Sequence, residues 1–252
     1  MPDRTLASRY ELKFWVPQHL VAEVRRHVRP FCRPDRYAEG RPGNRYTISS
    51  LYLDNGGFEL YRTTTEGHHN RFKLRIRAYS DEADTPVFFE IKKRSNQVVR
   101  KRRAKVQRDV AARFLAGEPV SEASPVFQEF IGACRQLHAV PTLRVRYERE
   151  AYESRGGDPV RVTMDTRVMH SPTTTANLSL NGAGWEETPT EGTILEVKFT
   201  DNAPRWVAGM IRSLGIERHS IPKYVLSLDR AFSLHGRTPW AGSPAAGARW
   251  TN

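Results

Sequence analysis

The stretch RFKLRIRAY, residues 71–79, alternates apolar and charged side chains without a break, and that spacing selects one backbone. Side chains of a strand leave opposite faces with period two. Phe72, Leu74, Ile76 and Ala78 therefore share one face, while Arg71, Lys73, Arg75 and Arg77 share the other. The apolar row demands burial in a sheet. The row of four like charges costs stability unless an anion lies against it.

The pattern recurs along the chain. In SRYELKFW (8–15), Arg9, Glu11 and Lys13 oppose Tyr10, Leu12 and Phe14. In FFEIKKR (88–94), Glu90, Lys92 and Arg94 oppose Phe89 and Ile91. Lys101, Arg103 and Lys105 line one side of VVRKRRAKV (98–106), and Glu196 and Lys198 oppose Leu195, Val197 and Phe199 in ILEVKF. An antiparallel sheet with one wet face is the plain reading of any one such strand. Wet faces normally mix Thr, Ser, Gln, Lys and Glu, whereas here at least four segments set Lys or Arg at every second position. Rows of that kind are explained if they converge on one anion.

Composition agrees about the partner. The chain carries 40 Lys and Arg against 28 Asp and Glu, a net charge of +12, which favours nucleic acid, acidic membrane or phosphorylated molecules. Its 252 residues suffice for a real core. No run of eighteen apolar residues predicts a transmembrane helix, and MPDRTLASRYELKFWVP lacks the apolar centre of a signal peptide, so a cytoplasmic protein is expected. Cys32 and Cys134 lack metal-ligand spacing and read as small buried hydrophobes.

Other segments complete an α+β pattern. PQHLVAEVRRHV sets Leu20, Val21, Val24 and Val28 on one helical face behind Pro17. RYTISSLYLD (45–54), TLRVRYEREAY (142–152), VRVTMDTRV (160–168) and TILEVKF (193–199) read as strands, with Ser95-Asn96-Gln97 as a hairpin connection. Helices are predicted near 108–116 and 125–138, in APRWVAGMIRSLG closed by Gly215, and in PKYVLSLDRAF opened by Pro222. Residues 171–192, rich in Thr, Asn, Gly and Pro, read as a loop. About eight strands, mostly in hairpin order with flanking helices, predict an eight-stranded antiparallel β-barrel tunnel over residues 1–235, with a disordered tail over 236–252. Such a barrel turns its apolar face to the helices and its charged face inward. Unpaired charges there would cost several kcal/mol each, a cost that a threaded polyanion offsets. Arginine forks bind phosphate oxygens bidentately.

RYELK (9–13), SLYLD (50–54), KLRIR (73–77), FEIKK (89–93), RVRYEREAY (144–152), RVTMD (161–165), LEVK (195–198) and PKY (222–224) occur in the order of a VTC domain. The chain resembles, from about residue 8 to 232, the polyphosphate polymerase domain of the vacuolar transporter chaperone family, a branch of the triphosphate tunnel metalloenzymes (the CYTH-like superfamily). The resemblance implies a tunnel barrel and transfer of the ATP γ-phosphoryl group onto a polyphosphate chain, with Mn²⁺ or Mg²⁺. It implies that Arg75, Arg77, Lys92, Arg149 and Arg161 neutralise the transferring phosphoryl group. Lys13, Lys101 and Lys223 match further phosphate ligands, and Lys73, Arg103 and Lys198 join them as row neighbours. Glu196 would hold the metal, with Glu11 and Glu90 as salt-bridge partners or additional ligands. Asp54 and Asp165, near strand ends, are expected to fix loops or pair with arginines.

Two departures from the family pattern stand out. Arg9 replaces the first Glu of the E-x-E-x-K opening of sister enzymes, removing one metal ligand, and Pro222 replaces the serine of the S-K-Y/F motif. Phosphoryl transfer rests on in-line positioning and charge neutralisation, so no His or Cys catalytic arrangement is needed. His68 and His69, in TTEGHHN, read as exposed loop residues. Rival readings are a tripolyphosphatase or nucleoside triphosphatase in the same tunnel, and a module that binds polyphosphate without turnover. Nucleic-acid binding, suggested by basicity and by Phe72 and Tyr79, is disfavoured because the cations form period-two rows and no nucleic-acid motif is present.

Overall fold

A computed structural model describes residues 9–236 apart from 97, 121–123, 157–158 and 201. The expected tail over 236–252 lies, beyond Gly236, outside the described residues. The strands are β1 (Arg9–Val16), β2 (Cys32–Pro34), β3 (Arg45–Asp54), β4 (Asn70–Ala78), β5 (Val87–Ser95) and β6 (Val98–Val106). They continue as β7 (Val140–Ser154), β8 (Val160–Pro172), β9 (Glu186–Glu187) and β10 (Thr193–Thr200). The helices are α1 (Val21–Val28), α2 (Glu59–Thr65), α3 (Arg108–Leu115), α4 (Pro125–Leu137), α5 (Arg205–Leu214) and α6 (Lys223–His235).

The described residues thus form an α+β fold with one ten-stranded sheet, ordered β1-β10-β8-β7-β3-β4-β5-β6, with β2 beside β7 and β9 beside β8. Eight strands make the main path, the number expected from the alternation. The reading of 171–192 as loop needs correction at both ends. β8 runs on through Ser171 and Pro172, and Glu186 and Glu187 pair with His170 and Met169. A two-residue strand has no periodicity of its own, and only the distant partner defines it. The first turn after Pro17 is likewise a 3₁₀ turn, Gln18–Leu20, before α1 begins.

The chain divides into two compact units. The first takes the described residues of 1–46, 147–168 and 189–222. Here β1 pairs antiparallel with β10, which pairs with β8. Phe14, Val16, Val162, Met164, Leu195 and Val197, the apolar alternates of these strands, pack with Val21, Val24 and Val28 of α1 and Val207 and Met210 of α5. Gly215 closes α5 in the left-handed region at φ 58°, as the sequence suggested.

The second unit takes the described residues of 47–146, 169–188 and 223–252. It holds the β3-β4-β5-β6 meander. Asn96, at φ 54°, supplies the left-handed residue in the β5–β6 connection. Leu74, Ile76, Phe89, Ile91 and Ala104 form one buried face against α4, whose Phe127, Phe130, Ile131, Cys134 and Leu137 recur at helical spacing. Phe89 meets the rings of Phe127 and Phe130 edge-on at 4.8 and 5.0 Å. Ser124 caps α4 by accepting from the Phe127 amide, and Pro125 occupies its first turn. Both cysteines are buried and unpaired, as expected.

Candidate functional site

With their apolar alternates committed to the core, β4, β5 and β6 present the other row together. Register sets Arg75 opposite Glu90 and Glu90 opposite Arg103, and, one step along, Lys73 opposite Lys92 and Lys92 opposite Lys101. Cross-strand neighbours of like charge destabilise a sheet. On this face the strands carry four, two and three Lys or Arg with Glu90 as their one carboxylate, while Lys93 and Arg102, on the opposite face, pair with Glu129 of α4.

Glu90 is fully buried and ion-pairs with four cations. Its Oε2 lies 2.6 Å from Arg75 Nη2 and 3.9 Å from Arg77 Nη1, and its Oε1 lies 2.7 Å from Lys101 Nζ and 3.3 Å from Arg103 Nε. Burial alone would raise the Glu90 pKa, but Arg75, Arg77 and Lys101 together hold it well below the usual carboxylate range. Desolvation, helped by the charges of Arg75 and Arg77, pushes the Lys101 ammonium down to about 7 even though Glu90 pulls it up and 42% of its side chain stays exposed. The arginines are aimed by neighbours. Arg75 donates to the Tyr52 hydroxyl at 3.3 Å, Arg77 to Ser50 Oγ at 3.3 Å, and Arg103 to the Tyr79 hydroxyl at 3.1 Å while lying 3.5 Å over the Phe88 ring. Arg77 is buried and Arg75 nearly so, with 17% of its side chain exposed. Lys73 and Lys92 are half-buried, and Lys223 is buried at the start of α6 in the same unit.

The other unit holds a differently balanced set. Lys13 Nζ lies 3.2 Å from Glu11 and 3.4 Å from Glu196, and donates to the Ile221 carbonyl at 3.3 Å. Lys198 donates to Glu196 Oε2 at 3.0 Å. Arg149 makes a bidentate pair with buried Asp165, both bonds 2.7 Å, and its Nη2 lies 3.9 Å from Glu196. Burial opposes the charge of Arg149, yet Asp165 raises its pKa well above the ordinary arginine value. Arg161 donates to buried Asp35 and, at 3.4 Å, to the Tyr46 hydroxyl. Four cations, Lys13, Arg149, Arg161 and Lys198, thus stand among four carboxylates, Glu11, Asp35, Asp165 and Glu196.

A family model described as the VTC domain matches residues 8–232. The chain belongs to the VTC domain family. The vacuolar transporter chaperone complex subunit 2 of Schizosaccharomyces pombe is 26% identical over a 191-residue alignment that covers 65% of this chain and 26% of that protein. This VTC domain therefore spans about a quarter of that relative's length. Among solved structures, a candidate adenylate cyclase from Bacillus halodurans aligns with a TM-score of 0.48 and 12% identity, covering 85% of this chain and 95% of its own. A Pyrococcus horikoshii protein aligns with a TM-score of 0.46 and 17% identity, covering 90% and 99%. Scores below 0.5 leave these two as likenesses only.

The sequence named most of the charged residues that this VTC domain clusters, but not what holds them. Asp54 fixes a loop, as one of its two expected roles had it. It accepts from the Asn55, Leu60 and Tyr61 amides and from the Tyr224 hydroxyl, and none of these partners is an arginine. Asp165 takes the other expected role. His68 and His69 are exposed. Asp35, the partner of Arg161, was missed because FCRPDRYAEG has no periodicity to mark it. Ser50 and Tyr52 were legible in principle, since they share the alternate face of SSLYLD with Asp54. Among the described residues no group of three or more His, Cys, Asp or Glu is placed to hold a metal ion. Glu196 and Glu11, both on Lys13, are the carboxylates that could serve a divalent cation taking its other ligands from phosphate and water. No helix among the described residues is long and apolar enough to cross a membrane.

Proposed function

We propose that this VTC domain is a polyphosphate polymerase-type phosphotransferase, moving the γ-phosphoryl group of ATP onto the end of a polyphosphate chain. The observation that carries the reading is the Glu90 cluster, in which three adjacent strands gather Arg75, Arg77, Lys101 and Arg103 on one buried carboxylate. Family membership and the vacuolar transporter chaperone relative favour polyphosphate chemistry over other anions. The closed tunnel implied by the family resemblance is part of this proposal.

In the proposed reaction an oxygen of the chain's terminal phosphate attacks the γ-phosphorus of ATP, the bond to the β-phosphate oxygen breaks, and ADP departs with that electron pair. The attacking oxygen is already anionic, so no general base is required. Positioning and charge neutralisation supply the acceleration. Arg75, Arg77 and Lys92 neutralise non-bridging oxygens, with Lys73, Lys101, Arg103 and Lys223 holding neighbouring phosphates. Arg149 and Arg161 contribute from sites where Asp165 and Asp35 already orient them. Glu196, with Glu11, would hold Mn²⁺ or Mg²⁺, which when bound would neutralise phosphate oxygens.

The test is incubation with ATP, Mn²⁺ and a pyrophosphate primer. Long polyphosphate on a gel is expected, lost on Arg75→Gln, and accumulation of orthophosphate alone would overturn synthesis in favour of hydrolysis. A second reading, polyphosphate binding without turnover, draws support from Glu196, whose carboxylate is already engaged by Lys13 and Lys198. Glu196→Gln separates the two. A transferase loses turnover and keeps tripolyphosphate binding, whereas a binding module shows no turnover to lose.

A further inference from the structure

Arg144 and Arg146 lie on one face of β7, two residues apart, in the strand motif that also supplies Arg149 but on the opposite face from it. Both guanidinium carbons stand 4.6 Å from the ring centroid of Trp185. Arg144 is buried, 5% exposed, and donates to Ser171 Oγ at 2.8 Å and Ser179 Oγ at 3.4 Å. Half-buried Arg146 donates to the Leu180 carbonyl at 2.7 Å. Among the described residues neither arginine has a carboxylate within ion-pairing distance. Asp81, which fastens the same loop, places its oxygens on the Leu180 and Asn181 amides and on Asn181 Nδ2.

Two donors here are buried without an acceptor, Arg144 Nε and Trp185 Nε1. Buried polar groups almost always find partners, so these two donors leave hydrogen-bonding capacity for an acceptor at this spot. Stacking on the indole does not settle the balance. A cation–π contact offsets only part of the cost of burying an ion without a counter-charge. Burial, and then the charge of Arg146, lowers the pKa of Arg144, which is the direction expected where two cations share a pocket without an acid.

We propose that Arg144, Arg146, Trp185 and Ser171 form a second anion site, separate from the Glu90 cluster, that takes one phosphate group. Every group lining it can donate a hydrogen bond, which suits an acceptor-only ligand. Two uncompensated positive charges match the charge of about −1.5 to −2 on a phosphate group near neutral pH, whereas a carboxylate would neutralise one of them.

The experiment follows the indole N–H resonance of Trp185 in the full chain labelled with ¹⁵N, identified by its loss in Trp185→Phe. Inorganic phosphate is titrated against the native chain, against Arg75→Gln/Arg77→Gln, and against Arg146→Gln, which alters the more exposed arginine and leaves the buried one in place. A saturable shift is expected in the native chain and in the Arg75/Arg77 variant, at about tenfold lower affinity in Arg146→Gln. A response to tripolyphosphate but not to inorganic phosphate would support the site and identify a chain end as its source. An unmoved resonance, an equal shift in Arg146→Gln, or an equal shift with acetate would overturn the assignment. The Arg75/Arg77 variant keeps this outcome independent of whether the chain makes polyphosphate.

Discussion

Lys101 shows how a single residue's surroundings set its chemistry. In the free protein its pKa falls from the ordinary 10.5 to about 7, because partial desolvation and the nearby Arg75 and Arg77 outweigh the pull of Glu90. The unfolded chain therefore binds more protons than the folded one between about pH 7 and 10.5, so this residue's cost to stability is full below pH 7 and fades as pH rises to 10.5. An arriving phosphate acts in the opposite direction, restoring the proton. Binding of tripolyphosphate at pH 8.5 is thus expected to take up protons and to be weaker than at pH 6.5. Calorimetry in two buffers of different ionisation enthalpy measures the uptake. Lys101→Arg, which stays charged throughout, should lose most of both effects, and an unchanged proton uptake in that variant would refute the assignment to Lys101. The sequence placed Lys101 in a basic row, but its altered acidity depends on Glu90, Arg75 and Arg77 arriving from two other strands.

At the level of elements, the alternating strands and the i, i+3, i+4 helices were readable because each pattern reports a local backbone geometry. The connections were less so. Gly192, read only as part of a loop, stands immediately before β10 at φ 158°, where a Cβ would lie 2.3 Å from the carbonyl oxygen of Val16 at the end of β1. Backbone cannot yield as a side chain does, so the β1–β10 pair is packed against a missing side chain. Gly192→Ala is expected to destabilise the fold by about 1–3 kcal/mol or more, seen as a lower urea midpoint with unchanged slope. A midpoint equal to the native one would show that the two strand ends separate readily. β9 was missed for a related reason, since its existence rests on His170 and Met169 and not on its own two residues.

Across the whole molecule, the net charge of +12 predicted an anionic partner but not where the excess would reside. The excess is uneven. Nine cations of β4–β6 (four, two and three) share the face of Glu90, the one carboxylate of those strands, whereas Lys13, Arg149, Arg161 and Lys198 stand among as many carboxylates. Arg75→Gln is therefore expected to weaken tripolyphosphate binding at least about tenfold, by loss of a charge-assisted contact. Arg161→Gln should weaken it less, because Asp35 already offsets the charge of Arg161. Calorimetric titration of both variants decides this, and a larger loss in Arg161→Gln would place the dominant anion contacts elsewhere.

The sequence by itself determined which side chains share a face, because the pleat of a strand repeats every two residues whatever surrounds it. Hence the cationic rows, the apolar rows and the family were legible before any coordinates. What each charge meets was decided only in three dimensions. Glu90 beneath four cations, Asp35 against Arg161 across 126 residues of chain, and Trp185 against Arg144 and Arg146 all depend on registers and loop paths that bring distant segments together. Facing is a local property of the backbone, whereas pairing is settled by the packing of the folded chain.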